Sequence, residues 1–384
     1  MIRLHRLRYV SSSLLAAATW LAAVAAAGEP GQAWKFAPEQ LRPFWLSSTM
    51  YGESVLFFQD DPSSQPRAGL LFPPVRVLAV HDPSGAVTYR EGRDYVWKPG
   101  TRELLLPPDS AIPYRRPQDL RRPANSQRFA LTHRDGNGEI LFGGGHEYHD
   151  MQATVTYEYD PTAWSGPRPT LAGEQLPRTL ARLRARQPTT IALLGDSIST
   201  GCNASGWAGV APFQPPYQDL LVRALETEYG GLITLQNVAV GGMDSAWGLA
   251  NIDQVIRLQP HLVLLAFGMN DVAGRSAADY QANTRGMIER VSAACPDAEF
   301  ILVASMRGNE DWIRLHHELF PQYRDALAQL CRPGVALADM TSLWTELLKV
   351  KADRDLTGNG VNHPNDFGHR LYAQVLAALL IGPR

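Results

Sequence analysis

Five continuous apolar runs that alternate with helical segments constrain the fold of this chain most. The runs lie at residues 191–194, 232–240, 262–267, 300–304 and 335–338. Runs without polar alternation are typical of strands that are buried on both faces of a sheet. Helical periodicity predicts helices at 176–186, 217–228, 276–295, 319–331 and 368–380. Strands that alternate with helices predict a parallel, doubly wound sheet covered on both sides, an α/β fold.

The first part of the chain has a different pattern, with short strands and turns and almost no helical periodicity. Strands are predicted at 75–80, 87–89, 102–106 and 153–159, and strong turn sequences lie at 82–85 and 135–138. Such spacing favours an all-β unit. We therefore predict a jelly-roll-like β-sandwich domain at 28–165 and an α/β domain at 175–384, joined by the proline-rich segment 164–169.

The N-terminus has the pattern of a targeting segment. Arginines at positions 3, 6 and 8 precede a mostly apolar run at 10–24, which is followed by three alanines at 25–27. This predicts a signal peptide at 1–27, cleaved after Ala27, and a secreted or periplasmic protein. The alternative is a membrane anchor, but the run is shorter than the roughly 20 apolar residues that a span needs.

Composition narrows the functional classes. The net charge is −2 with both signs interspersed, which argues against nucleic acid or an anionic membrane as a partner. Three cysteines, at 202, 295 and 331, are too few for a disulfide scaffold, and a bond between the last two stays open. His146, His149 and Asp150 have metal-ligand side chains without a partner cluster, so we expect neither a metal nor a cofactor.

The residues that follow the predicted strands have the chemistry of acyl transfer. In an open parallel sheet, ligands bind beyond the carboxyl ends of the strands. Ser197 follows the first strand in a Gly-Asp-Ser sequence, Gly242 follows the second, Asn270 follows the third, and His363 precedes the last helix. We predict Ser197 as nucleophile and His363 as its general base. The backbone N–H groups of Ser197 and Gly242 and the amide of Asn270 are predicted oxyanion donors.

These motifs, taken as a set, resemble those of the SGNH or GDSL hydrolase superfamily. The resemblance covers about residues 189–380 and rests on Ser197, Gly242, Asn270 in a Gly-x-Asn-Asp sequence, and His363 in a His-Pro pair. It implies a flavodoxin-like three-layer α/β/α sandwich and ester hydrolysis. A β-rich region followed by this domain is similar to the layout of carbohydrate esterase family two.

One position departs from the family pattern. The resemblance implies an Asp three residues before the His, and Gly360 occupies that position. Three alternatives stay open for orienting His363: a Ser–His dyad assisted by a backbone carbonyl, Asp355, or Asp366. The dyad and Asp355 are favoured over Asp366, and Asp355→Asn would separate those two.

The expected function is O-deacetylation of carbohydrate, since a signal peptide, a β domain and the family resemblance occur together. A lysophospholipase or thioesterase of the same superfamily is the first alternative, and a non-catalytic carbohydrate-binding protein is the second. Four side chains near the predicted rim either stack on sugar rings or pack in the core: Trp207, Trp247, Arg307 and Trp312. The sequence does not determine the sugar or the oligomeric state.

Overall fold

Short antiparallel strands make up the first part of the computed structural model, which describes residues 34–382. Its strands are β1 (Thr49–Val55), β2 (Arg67–Gly69), β3 (Arg76–His81), β4 (Thr88–Tyr89), β5 (Val96–Trp97), β6 (Glu103–Leu105), β7 (Arg121–Arg122), β8 (Glu139–Ile140) and β9 (Ala153–Glu158). β1, β9, β3 and β4 form one sheet in that order, β2, β6 and β5 form a second, and β7 pairs with β8. We call residues 34–164 the β region.

A parallel sheet with helices follows, and we call residues 175–382 the α/β region. Its strands and helices are α1 (Pro177–Arg184), β10 (Thr189–Gly195), α2 (Ser205–Ala208), α3 (Tyr217–Tyr229), β11 (Ile233–Asn237), α4 (Ser245–Ala250), α5 (Asp253–Arg257), β12 (Leu262–Ala266), α6 (Ala277–Ala294), β13 (Glu299–Ala304), α7 (Leu319–Ala328), β14 (Val335–Asp339), α8 (Met340–Leu347), α9 (Asp353–Leu356) and α10 (Asp366–Ile381). The strand order is β11-β10-β12-β13-β14, all parallel, as in flavodoxin-like folds.

The predicted α/β fold class with a preceding β-rich part is confirmed, and the jelly-roll-like form of that part stays a prediction. Each of the five predicted helices begins and ends within three residues of its observed bounds. Helix α3 contacts both α1 and α10 in one layer, and α6 contacts α4, α5 and α7 in another. An antiparallel β region precedes this α/β/α arrangement. The domain limits stay predictions.

Helix α10 shows how the two regions are joined. Every residue from Phe367 to Leu380 is buried, so the helix has no solvent-facing side. A helix that is apolar on all sides must be covered on all sides. Here β1 and a 3-10 helix at Pro38–Leu41 contact α10, and α3 and β14 contact it as well. Apolar residues of both regions therefore belong to one continuous core.

Buried polar contacts also cross between the regions. The ammonium group of Lys351, with a fully buried side chain, donates to Glu53 Oε1 at 2.6 Å and to the carbonyl of Gly69 at 2.6 Å. Glu53 also accepts from the Tyr157 hydroxyl at 2.5 Å. The guanidinium of Arg370 donates to the carbonyls of Tyr51 at 3.0 Å and of Gly52 at 2.6 Å. Each charge thus has partners that offset its desolvation.

Three further sequence predictions concern features outside the sheets. The signal peptide at 1–27 lies outside the described residues. Within residues 34–382, no helix has the length and apolar character that crossing a membrane requires. Cys202, Cys295 and Cys331 are free thiols in this structure.

Candidate active site

The loop after β10 carries Ser197 at the carboxyl end of the central strand. Gly195 is required here, because a Cβ would lie 2.6 Å from the Ala266 carbonyl oxygen and 2.6 Å from Ser199 Oγ. Asp196 is buried, and its Oδ1 accepts the backbone N–H of Ile198 at 3.0 Å. Burial raises the pKa of Asp196 to about 7. Asp196 therefore holds the turn, while Ser197 faces the rim of the sheet.

His363 meets Ser197 from the loop before α10. The distance between His363 Nε2 and Ser197 Oγ is 2.9 Å. Burial, and to a lesser degree the neighbouring His369, lower the pKa of His363 from 6.5 to about 3. The imidazole is therefore neutral at ordinary pH, which is the state in which it can accept a proton.

Asn203 contacts the other nitrogen of His363, and the sequence reasoning missed it. Its Oδ1 lies 2.8 Å from His363 Nδ1. Asn203 is buried, with φ of +64°, a conformation that Asn tolerates better than most residues. It lies on the same loop as Ser197, but no family motif marks it. The one signal was indirect, since Gly at 360 leaves the imidazole without its usual carboxylate.

Tyr148 of the β region explains why an Asp is absent at 360. Gly360 has φ of +77°, and a Cβ there would overlap the ring and hydroxyl of Tyr148. The Tyr148 side chain is buried beside Leu56, Phe58 and Leu141. The space beside Gly360 in which an Asp side chain would begin is therefore already filled.

Asp355 and Asp366, two of the three alternatives for orienting His363, make other contacts. Asp355 accepts the backbone N–H of Leu56 at 2.8 Å and of Ala352 at 3.1 Å. Asp366 accepts the backbone N–H of Ser205 at 2.8 Å. Both carboxylates therefore hold backbone segments, and the dyad with a backbone carbonyl does not describe the site either, because a side-chain amide faces Nδ1.

Gly242 and Asn270, the predicted oxyanion donors, lie on the loops after β11 and β12. A Cβ on Gly241 would lie 3.6 Å from Ser197 Cβ, so this loop runs against the nucleophile. Gly242 has φ of +79°, which favours glycine. The amide nitrogen of Asn270 donates to the Met243 carbonyl at 2.9 Å and so links the two loops. The structure thus brings both loops to the rim that carries Ser197.

The aromatic and basic side chains predicted near the rim have different surroundings. Trp207 is 45% exposed. Trp247 and Trp312 pack partly buried against apolar core residues. Arg307 donates to Glu310 at 3.0 Å and lines a cavity of about 540 Å³ with Gly360. Only Trp207 among these four is freely available to stack on a ligand.

His146 and His149, which have metal-ligand side chains, each contact another protein group. Residues 34–382 contain no group of three or more His, Cys, Asp or Glu side chains that could hold a metal ion. His146 instead pairs with Asp150, with Nδ1 and Oδ2 2.7 Å apart. His149 Nε2 lies 2.8 Å from the Ala211 carbonyl oxygen.

Three solved structures are similar to part of this chain. A lipase from goat rumen metagenome is 18% identical, with a TM-score of 0.41, over 50% of this chain and 96% of the other. An acetyl xylan esterase variant from Geobacillus stearothermophilus is 19% identical, with a TM-score of 0.43, over 51% and 96%. A two-domain esterase active on acetylated mannans is 21% identical, with a TM-score of 0.45, over 56% and 54%, so only about half of that protein is matched. No curated protein matches this chain.

The family assignment rests on the α/β region. Residues 193–371 match the model of the GDSL-like lipase/acylhydrolase family. The match begins within β10, ends within α10, and includes the loops that carry Ser197, Gly242, Asn270 and His363. Residues 193–371 are thus a GDSL-like acylhydrolase domain, which supports a carboxylic ester hydrolase.

Proposed function

We propose that this chain is an exported serine esterase that removes small acyl groups, acetyl above all, from carbohydrate. The observation that carries the proposal is the chain of contacts from Ser197 Oγ to His363 Nε2 at 2.9 Å and from His363 Nδ1 to Asn203 Oδ1 at 2.8 Å. A hydroxyl, a base and an acceptor that orients the base form the arrangement that acyl transfer requires.

The first half of the reaction forms an acyl-enzyme. Ser197 Oγ attacks the ester carbonyl carbon while His363 Nε2 takes the hydroxyl proton. The resulting imidazolium keeps its Nδ1–H on Asn203 Oδ1. The C–O bond to the sugar then breaks, and Nε2 returns the proton to the departing sugar oxygen. In the second half, water repeats these steps on the acyl-enzyme, which releases acetate and restores Ser197.

The negative charge of each tetrahedral intermediate needs donors that are already in place. The backbone N–H groups of Ser197 and Gly242 and the amide of Asn270 are assigned this role. Removing one such donor typically lowers kcat by about 10²- to 10³-fold. The Asn270 amide is held by the Met243 carbonyl, so one of its two hydrogens stays available to the intermediate.

A small acyl group fits the immediate surroundings of the nucleophile better than a long one. The contacts around Ser197 are with the backbone of Gly241 and the imidazole of His363, and Asn203 lies behind that imidazole. A long acyl chain would need an apolar wall to offset its transfer from water. The exposed indole of Trp207, on helix α2 after the loop of Ser197, is able to stack on a sugar ring.

The test compares acetyl with octanoyl nitrophenyl esters in the wild-type enzyme and in Ser197→Ala. We expect faster cleavage of the acetyl ester and a loss of at least about 10³-fold in kcat for Ser197→Ala. Ser199→Ala, two residues further along the loop, is the control and should keep most of the activity. Faster octanoyl cleavage would favour a lipid esterase, and an active Ser197→Ala would overturn the proposal. Acetate release from acetylated xylan, mannan and pectin then identifies the polymer.

A further inference from the structure

The amide nitrogen of Asn203 is surrounded by carbonyl oxygens. Its Nδ2 lies 3.3 Å from the carbonyl oxygen of Gly143, 3.0 Å from that of Gly145 and 3.1 Å from that of Gly358. The first two belong to the β region, and the third belongs to the loop that carries His363. Asn203 is buried, so water does not compete for these contacts.

These carbonyls decide which end of the amide faces the base. If the amide were turned by half a rotation, Oδ1 would point at three carbonyl oxygens and lose every donor. With Nδ2 on the carbonyls, Oδ1 must face His363 Nδ1 at 2.8 Å. Nδ1 then carries the hydrogen, and the lone pair of Nε2 is left facing Ser197.

The glycine segment itself is held in place. The backbone N–H of Gly143 donates to the Asn359 carbonyl at 3.0 Å, and that of Gly145 donates to the Glu147 carboxylate at 3.0 Å. A Cβ on Gly143 would lie 3.0 Å from Tyr148 Cδ2 and 3.4 Å from the Tyr148 backbone nitrogen. The segment is therefore tied to the loop of His363 on one side and to Tyr148 on the other.

We propose that residues 143–145 of the β region are a positioning element of the catalytic centre, which sets the tautomer of His363 through Asn203. The inference rests on the proposed function, because it concerns the same serine and histidine. It makes the β region a part of the catalytic machinery in addition to any role in holding a polymer.

The first test is Asn203→Asp. In an ordinary Ser-His-Asp triad a carboxylate is the better partner for the imidazole. An enzyme with Asp at position 203 would then be at least as active as one with Asn. Here one carboxylate oxygen would face three carbonyls, which favours its protonated form, whose O–H can donate to a carbonyl. We expect kcat to be at least about tenfold below wild type at pH 8, with activity recovering as pH falls toward 5 and KM nearly unchanged. Equal activity of the two proteins at every pH would overturn the proposal.

Comparing the pH profile of Asn203→Asp with that of wild type separates the titration of residue 203 from the titrations of its neighbours. The groups around this amide are His363, His369, Cys202 and, beyond Cys202, Asp196. Burial lowers the pKa of His369 to about 4 and raises that of Cys202 to about 11. Asp196, with a pKa of about 7, is present in both proteins, so the ratio of the two pH profiles isolates residue 203.

The second test changes the β region alone, by deleting Gly144 both in the wild-type enzyme and in Asn203→Asp. Moving the carbonyls of Gly143 and Gly145 removes acceptors from Asn203 and should lower kcat of the wild type by at least about tenfold. The same deletion relieves repulsion in Asn203→Asp and should raise its kcat at pH 8. A change of opposite sign cannot come from general damage to the fold, which would lower both. If the deletion proteins keep the circular dichroism spectrum and unfolding midpoint of their parents, a kcat that falls or stays unchanged in both would contradict the proposal.

The Asn203 variants keep the inference testable even if the deletion prevents folding. Asn203→Ala should fold, lose at least about tenfold in kcat, and show no recovery at low pH. Ser197→Ala distinguishes a failure of the proposed function from a failure of the proposed role of residues 143–145. If Ser197→Ala stays active, the proposed function fails. If Ser197→Ala is inactive while Asn203→Asp matches wild type, only the role of the glycine segment fails.

Discussion

The β region and the α/β region contribute to the site in different ways. The α/β region supplies the reacting groups, Ser197 and His363, from loops at the carboxyl rim of its sheet. The β region supplies none of them, but it supplies the backbone carbonyls behind Asn203 and the Tyr148 side chain beside Gly360. The reacting groups thus lie in one region, while part of their surroundings comes from the other. Contacts between the two regions are therefore the most informative places to change.

The largest expected effect is at the buried ion pair between the regions. Lys351→Ala leaves the carboxylate of Glu53 buried without its ammonium partner. Losing one member of such a pair typically lowers the free energy of unfolding by about 3–5 kcal/mol. Urea unfolding of the wild type and of Lys351→Ala measures this difference in the free energy of unfolding.

Lys349→Ala is the matched control, two residues away on the same segment. Lys349 is exposed and pairs with Glu346 at 2.7 Å, so its removal should change stability little. Equal effects of the two substitutions would mean that the regions are not joined through Lys351.

A smaller effect is expected from placing the family's usual residue at position 360. Gly360→Asp should destabilise the protein and lower kcat, because the new Cβ overlaps Tyr148. Overpacking of this kind costs about 1–3 kcal/mol, to which the strain of a positive φ adds. Thermal unfolding and kcat measure the two effects.

Gly100→Asp is the control that separates the cost of a positive φ from the cost of the overlap with Tyr148. Gly100 has φ of +80°, close to the +77° of Gly360, and a Cβ there meets nothing within 4 Å. We expect Gly360→Asp to be clearly the worse of the two. A Gly360→Asp enzyme with wild-type activity would show that the β region does not restrict this position.

The smallest expected effect is in the acid limb of kcat/KM. Because the pKa of His363 is lowered to about 3, the imidazole stays neutral as pH falls through 6.5, and activity is lost only on approach to the folded pKa. We therefore expect kcat/KM for an acetyl ester to change little between pH 8 and pH 5. Asp196, with a pKa of about 7, titrates in the same range, so the profile is also measured in Asp196→Asn. An inflection near 6.5 that persists in that variant would indicate that His363 is solvated.

The α/β region could be predicted from sequence because its strands are apolar on both faces and its motifs lie at strand ends. Ser197 and His363, which are placed by the sheet, come together as the motif order indicates. β1 escaped prediction because Glu53 and Ser54, although buried, have the composition of a surface segment. Their burial depends on Lys351 and Asn365, which lie about three hundred residues further along the chain.

Asn203 escaped prediction for a related reason. Its role depends on carbonyl groups at 143, 145 and 358, and backbone carbonyls leave no trace in residue identity. Asp355 was an attractive candidate because it is a carboxylate close to His363 in sequence. Its partner is the backbone of Leu56, a contact between the two regions that no local pattern indicates.

The three carbonyl oxygens around the Asn203 amide have a consequence for heat inactivation. A displacement of residues 143–145 leaves the Gly358 carbonyl as the one remaining acceptor of the three and so weakens the preference for one amide orientation. The imidazole can then more easily take the tautomer that cannot accept the serine proton. The parallel sheet need not melt for this to happen. Moderate heating should therefore lower turnover while the far-ultraviolet circular dichroism of the helices is unchanged. Cooling should restore turnover without any refolding of the sheet.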